Sequence, residues 1–452
     1  MPELPIKARR VRGGVHLEHH KNTAAIPTAF LPPEAVKKVI LPLRQHIGAP
    51  CSPAVKVGDE VKVGTLIGEV TAPFCSPIYS SVSGKVTKIA PAMVADGSLV
   101  PAVEIESDGL MTVRDDLQAP TVTDAQSLIE AVKQSGLVGL GGAGFPSHIK
   151  LTISPEKPID TLIINCAECE PYITADHREC LEDTWDILNG IYTVKRTLGI
   201  HDAFIAVEDN KPDAIKNLLE IASDEFDPHD HVRVVELKSS YPQGAEKVMV
   251  KAVTGREIPA GKLPADVGVL LMNVTSVAFI SRYLKTGMPL VSKRITVDGG
   301  AVENPQNLIV PIGTPVADVL NFVRLKYDPT KIIMGGPMMG TALSSADVPV
   351  VKTTNAILAF KRKQAASTKM TACIHCGRCV KNCPMSLVPV SLTSAALHND
   401  LDELRRLSVM SCMECGTCVY NCPAGRKLVQ EIRLGKKLVR DDDMKKKEAA
   451  NK

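Results

Sequence analysis

The sequence predicts a multidomain chain of β and α/β parts that ends in a small helical, cysteine-rich domain. Three observations carry that expectation. At 452 residues the chain exceeds what one hydrophobic core sustains. Its rhythm changes along its length, from alternating strand patterns to alternating helices and strands from about residue 121. Near the end, Cys373-x2-Cys376-x2-Cys379-x3-Cys383-Pro384 recurs as Cys412-x2-Cys415-x2-Cys418-x3-Cys422-Pro423.

Composition excludes some classes. A net charge of +3 and 4% aromatic residues supply neither the field nor the stacking platforms that nucleic-acid binding needs. Of 13 cysteines, eight fall in the two runs. Met1 to Gly14 is basic and lacks an apolar run, so a reducing cytosol is expected. The longest apolar stretch, 267–280, contains Asn273, Thr275 and Ser276. It falls short of the ~20 residues that span a bilayer. Any membrane role is expected to be that of a peripheral subunit.

The first segment, 1–30, reads as an extended, polar arm in which His16, His19 and His20 offer a metal alternative to simple packing. Residues 31–115 read as all-β, because Val55-x-Val57-Gly58-Asp59-x-Val61-x-Val63-Gly64 alternates around a Gly-Asp turn. This pattern resembles the barrel-sandwich hybrid of biotinyl and lipoyl carriers. No lysine lies between Lys62 and Lys85 to carry a prosthetic group, so docking is the expected role.

Residues 121–290 read as an α/β domain. Thr123-x-x-Gln126 suggests a capping box, and Gly136 a helix stop. Gly139-Leu140-Gly141-Gly142-Ala143-Gly144-Phe145-Pro146 then lets backbone N–H groups approach a bulky anion ahead of a helix. Strands are expected at 160–165, 203–207, 232–237 and 268–273. The first ends in Asn165-Cys166-Ala167-Glu168-Cys169-Glu170-Pro171, where ligands of open α/β sheets gather. Cys166, Cys169 and Cys180 read as small packing residues rather than a redox dithiol.

The cysteine runs, in 365–430, have the spacing of ferredoxin-type [4Fe–4S] ligands. Three close thiolates hold one cluster and the fourth, turned away by proline, reaches the other. Cys373, Cys376, Cys379 and Cys422 are therefore assigned to one cluster, and Cys412, Cys415, Cys418 and Cys383 to the second. Zinc would favour two separated pairs. His375 reads as a residue tuning the cluster, and 431–452 as a charged, solvated tail.

Gly139–Pro146, Asn165–Pro171, Tyr241–Glu246 and Asn273-Val274-Thr275 resemble, in order, motifs of the FMN- and NADH-binding flavoprotein subunit of respiratory complex I. The resemblance implies that Gly139, Gly141, Gly142, Ala143, Gly144 and Lys150 surround the FMN phosphate and ribityl chain. It places Asn165, Tyr241, Gly244, Asn273 and Thr275 along the ring and polar tail. Phe145 would stack on the nicotinamide-bearing nucleotide, with Glu168, Glu170 and Glu246 contacting it. Departures are Ala167 for an acidic residue and Leu140 for an arginine.

Across nearly its whole length the chain is similar to RnfC, a component of the Rnf ion-translocating ferredoxin:NAD oxidoreductase. Gly13-Gly14-Val15-His16, Leu31-Pro32-Pro33 and Gln45-His46-Ile47-Gly48-Ala49-Pro50 carry this, and 291–360 fits that family's β-grasp (SLBB) domain. The resemblance implies an NAD-linked oxidoreductase that passes electrons between NAD(H), FMN and two clusters. Its implied partners are membrane-embedded and ferredoxin-like Rnf subunits, with ferredoxin indirectly, at the cytoplasmic membrane face. Two alternatives share the modules: a soluble reductase such as a microcompartment cobalamin reductase, and a non-catalytic electron wire.

Overall fold

The computed structural model describes residues 4–225, 231–366 and 368–450. Near the N-terminus two small antiparallel sheets face each other. One runs Lys38–Pro42, Leu99–Ser107, Gly84–Met93 and Glu60–Val61; the other runs Ser52–Pro53, Leu66–Glu69 and Ile78–Tyr79. Alternate residues of the long strands (Val39, Leu41, Val86, Val103 and Ile105) are buried between them. These are half-buried strands, whereas of the alternating stretch Val55–Gly64 only Glu60–Val61 is a strand, and Val57 lies exposed at the turn.

The central sheet is wholly parallel, in the order Ile6–Lys7, Val232–Leu237, Asp202–Glu208, Thr161–Cys166, Val269–Asn273. Its two central strands, Thr161–Cys166 and Asp202–Glu208, are mostly apolar because both faces are covered. Leu162 and Ile164 pack on one side with Ile187, Ile191 and Val277, whereas Ile163 and Leu271 pack on the other with Met249 and Val250. The first of these cores sits under helices Thr184–Thr197 and Val274–Thr286, the second under Glu246–Thr254.

A mixed sheet follows, ordered Thr341–Ala342, Lys331–Met334, Ala356–Phe360, Ser292–Asp298, Gln306–Pro311, Ala29–Phe30. The N-terminal arm is therefore woven into two sheets, with Ile6–Lys7 at an edge of the first and Ala29–Phe30 at an edge of the second. His20 stacks on Tyr172 at 4.8 Å, and Asn210 meets His19 Nδ1 at 3.3 Å. These contacts explain the histidines as packing groups.

Two local expectations change. The capping box at helix Ala125–Gln134 is formed by Asp124 and Ser127, with the Ser127 N–H donating to the Asp124 carboxylate at 2.8 Å. A carboxylate at the N-cap outcompetes the neighbouring Thr123 hydroxyl. The charged end of the chain is a helix, Leu428–Ala450, and not a frayed tail. Ile432 and Val439 bury its inner face against Leu392, Ala396 and Leu404. Lys436 Nζ donates to the Cys412 carbonyl at 3.0 Å and to Glu414 at 2.5 Å.

Candidate functional site: a glycine-lined crevice beside eight cysteines

The parallel sheet reverses its winding between Thr161–Cys166 and Val269–Asn273, since the two intervening strands step away on one side only. A crevice outside the carboxyl ends at such a reversal is where open α/β sheets take ligands. Asn165 and Asn273 stand at its two lips. Asn165 Nδ2 donates to the Gly244 carbonyl at 2.9 Å, and its Oδ1 accepts from the Ala167 N–H at 3.1 Å. Asn273 caps helix Val274–Thr286 by accepting from the Thr275 N–H at 3.1 Å. Its amide and the Thr275 hydroxyl donate to Asp176 at 2.7 and 2.9 Å. Burial raises the Asp176 carboxyl above its usual range against the pull of Lys293.

The glycine loop lies against this lip, with Gly141 packed on Asn273. The Gly139 N–H donates to the Phe145 carbonyl at 2.8 Å and the Gly144 N–H to the Gly139 carbonyl at 3.2 Å, which closes the loop. Leu140 anchors it. Its side chain is buried, its N–H donates to Ser276 Oγ at 2.9 Å, and its carbonyl accepts from Lys293 Nζ at 3.0 Å. An apolar residue there thus has a packing reason. Gly141, Gly142 and Ala143 are exposed, and among the described residues their N–H groups have no partner in the chain. Three free donors on one turn form an anion cradle. The following helix, Ser147–Leu151, has only five residues, so the cradle relies on the loop rather than on a helix dipole. Lys150 and Glu246 pair across the opening at 2.9 Å.

The acidic loop is braced from below. Lys21 Nζ donates to the carbonyls of Glu168, Glu170 and Ile173 at 2.8, 2.9 and 2.5 Å. Lys211 Nζ donates to the Ala167 carbonyl at 2.7 Å. Sequence reasoning missed both lysines, because an isolated lysine carries no motif. The Glu168 and Glu170 carboxylates, expected at the nucleotide, also have partners within the chain. Glu168 accepts from the N–H groups of Asp176 and His177 at 2.6 and 3.2 Å, and Glu170 from those of Met338 and Met339 at 3.0 and 2.9 Å. Burial pushes each carboxyl up to about 7, and draws Lys21 down to about 8. Among the three glutamates, Glu246 is the exposed one. Cys169 accepts from the Gly244 N–H at 3.4 Å and is pushed up to about 12 by burial, as befits a packing thiol.

Tyr241 makes a contact that its motif did not announce. Its backbone pairs with Val15, its ring is buried, and its hydroxyl donates to the Cys415 carbonyl at 2.7 Å, so it reaches the second cysteine run.

The cysteines gather in two groups. A cavity of about 400 Å³ is lined by Cys373, Cys376, Cys379 and Cys422, so the fourth thiol comes from the other run. Reciprocally, the thiols of Cys383, Cys412 and Cys418 are raised by burial first and then by their neighbours in this group, so Cys383 stands close to the second run. Backbone N–H groups of His375, Glu414 and Leu387 donate to the sulfurs of Cys373, Cys412 and Cys383, each at 3.4 Å. His375 and Glu414 occupy matching places and share left-handed backbone, φ 52° and 60°. Both groups suit [4Fe–4S] clusters held by crossed ligands and tuned by N–H donors.

Fold and site together define an electron-transfer protein with a flavin-type crevice and a two-cluster iron–sulfur domain. Three family descriptions match: an RnfC barrel-sandwich hybrid domain over 9–110, a Nuo51 FMN-binding domain over 132–282 and a 4Fe-4S dicluster domain over 372–427. The C-subunit of the Na⁺-translocating ferredoxin:NAD⁺ oxidoreductase complex of Acetobacterium woodii is 41% identical over 440 residues, 96% of this chain and 98% of its own. The corresponding subunit of the proton-translocating complex of Clostridium ljungdahlii is 42% identical, over 93% and 92%. That of the ion-translocating complex of Rhodobacter capsulatus is 39% identical, over 96% and 83%. The chain belongs to the RnfC family. Among the described residues, no helix is long and apolar enough to cross a membrane.

Proposed function

We propose that this chain is the NAD(H)-handling, electron-transferring subunit of an ion-translocating ferredoxin:NAD oxidoreductase complex. FMN, when bound, converts between a hydride pair and the single electrons that [4Fe–4S] clusters carry. The chain's own residues hold, orient and shield. The free N–H groups of Gly141, Gly142 and Ala143 hold the FMN phosphate, with Lys150 and Glu246 at the opening. Asn165, Gly244, Asn273 and Thr275 set the walls that face the ring, and Lys21 and Lys211 keep the acidic loop from yielding. Phe145 stacks on the nucleotide. Cysteines 373, 376, 379 and 422 hold one cluster; 412, 415, 418 and 383 hold the other.

The observation that carries this reading is the Tyr241–Cys415 bond, since it ties the turn pinned by Asn165 directly to a cluster-binding run. The Cys412–Cys418 group is accordingly nearer the crevice. The Cys373–Cys379 group lies outward, where Cys376 and Ile374 are exposed, and faces the partner that exchanges electrons with this chain. We assign the mixed sheet of 291–360 to an SLBB β-grasp domain, and the chain to the cytoplasmic membrane face through membrane-embedded and ferredoxin-like partner subunits. Chain position separates this reading from the soluble reductases, because the arm and barrel-sandwich precede the glycine loop.

The test is anaerobic. The full chain, reconstituted with FMN, iron and sulfide, should lose flavin absorbance on addition of NADH and then show reduced-cluster signals by electron paramagnetic resonance. Absence of bleaching would leave only the electron-wire reading.

A further inference from the structure

The barrel-sandwich domain reaches the mouth of the crevice with a side chain that the function above leaves unused. Phe74 is 50% exposed. Its ring meets Phe145 edge-on, with centroids 6.2 Å apart and planes at 74°. Phe145 closes the glycine loop, whose 141–143 backbone is open beside it.

Phe74 is held in place from several sides. Its carbonyl accepts from the Ala49 N–H at 3.0 Å. Gly48 has φ 134°, and a Cβ there would overlap the same carbonyl. The Ser76 N–H meets His46 Nε2 at 3.2 Å, and the Ile47 N–H donates to the Gly144 carbonyl at 3.0 Å. One short loop, 46–49, therefore grips both the Phe74 turn and the glycine loop. It fixes the two rings relative to each other across the domain junction. Two rings at nearly a right angle offer a face and an edge to a flat heteroaromatic ring.

We propose that Phe74 is a further nucleotide-binding residue: with Phe145 it forms an aromatic corner that receives the purine base of the dinucleotide. This rests on the reading that the hydride donor approaches a flavin at the strand ends. The nicotinamide end must then enter the crevice, and the base at the far end of the pyrophosphate must lie outward, at the mouth where the two rings stand. The barrel-sandwich domain, which lacks a carrier lysine on its hairpin, thereby acquires a role as one wall of the nucleotide site.

The inference is tested with two donors, NADH and the reduced nicotinamide mononucleotide, which lacks the adenosine half. Flavin bleaching is followed in the reconstituted full chain, and the preference for NADH is taken as the ratio of second-order rate constants. Phe74→Ala should lower that preference about tenfold, the size of a lost base–aromatic stack. Phe74→Leu keeps the apolar bulk, answers if the alanine variant will not fold, and should show the same loss. Phe74→Trp should restore the preference. An unchanged ratio in both the alanine and leucine variants overturns the proposal. Failure of NADH to bleach the unaltered chain overturns the functional reading and this inference with it.

Discussion

At Tyr241 one hydroxyl joins two parts of the machinery, because the Cys415 carbonyl it serves is buried and belongs to a cluster-binding run. Tyr241→Phe leaves that acceptor short of a donor, and should lower the stability of the reconstituted chain by about 1–3 kcal/mol. An unchanged urea midpoint would show that the bond adds nothing. Glu170 gives a pH prediction. Its folded carboxyl sits at about 7, above the ~4.3 of an unfolded glutamate. The folded state thus holds this proton more tightly, so the contribution is complete below about pH 4 and is lost as pH rises through 7. Stability should decline across that window by on the order of 1–3 kcal/mol, and Glu170→Gln should flatten the decline. Lys21 acts in the opposite sense: its folded value of about 8 makes stability rise with pH above that value. Denaturant midpoints at pH 5, 7 and 9 separate the two. Neither lysine brace nor either glutamate's partner was legible in the sequence, since each contact joins residues far apart in the chain.

Among the elements, the glycine loop most narrowly restricts substitution. Gly144 has φ 67°, and a Cβ there would stand 2.7 Å from Thr353 Cγ2. Gly144→Ala should cost about 1–3 kcal/mol in backbone strain and weaken FMN binding about tenfold or more as the free N–H groups turn away. Titration of FMN fluorescence measures this, and wild-type affinity would sever the link between loop shape and flavin. The loop's composition announced a tight turn facing an anion, and its place after a helix was also legible. That Leu140 anchors it through Ser276 and Lys293 was not, because those partners lie over a hundred residues downstream. Helix Leu428–Ala450 illustrates the converse error. Its charges suggested a solvated tail, while Ile432 and Val439, spaced seven apart, form the face that packs.

For the molecule as a whole, the proposed crossed ligation gives electron flow an order that two variants test. Cys383→Ser removes a ligand from the cluster beside Tyr241, and Cys422→Ser from the outer one. With Cys383→Ser, NADH should still bleach the flavin while the remaining cluster is reduced on the order of tenfold more slowly, since the route skips a station. With Cys422→Ser, the inner cluster should fill at its normal rate. Freeze-quench electron paramagnetic resonance distinguishes them, and equal slowing in both would refute the order.

The sequence by itself determined the two cysteine runs, the proposal of their crossed pairing, the anion-ready loop and the parallel strands, because ligand spacing, glycine backbone freedom and side-chain period are local properties of the chain. Tertiary structure alone decided that Glu168 and Glu170 brace the site, that Tyr241 turns toward a cluster, and that Phe74 meets Phe145. Those outcomes depend on which distant groups burial forces together, and burial has no sequence address.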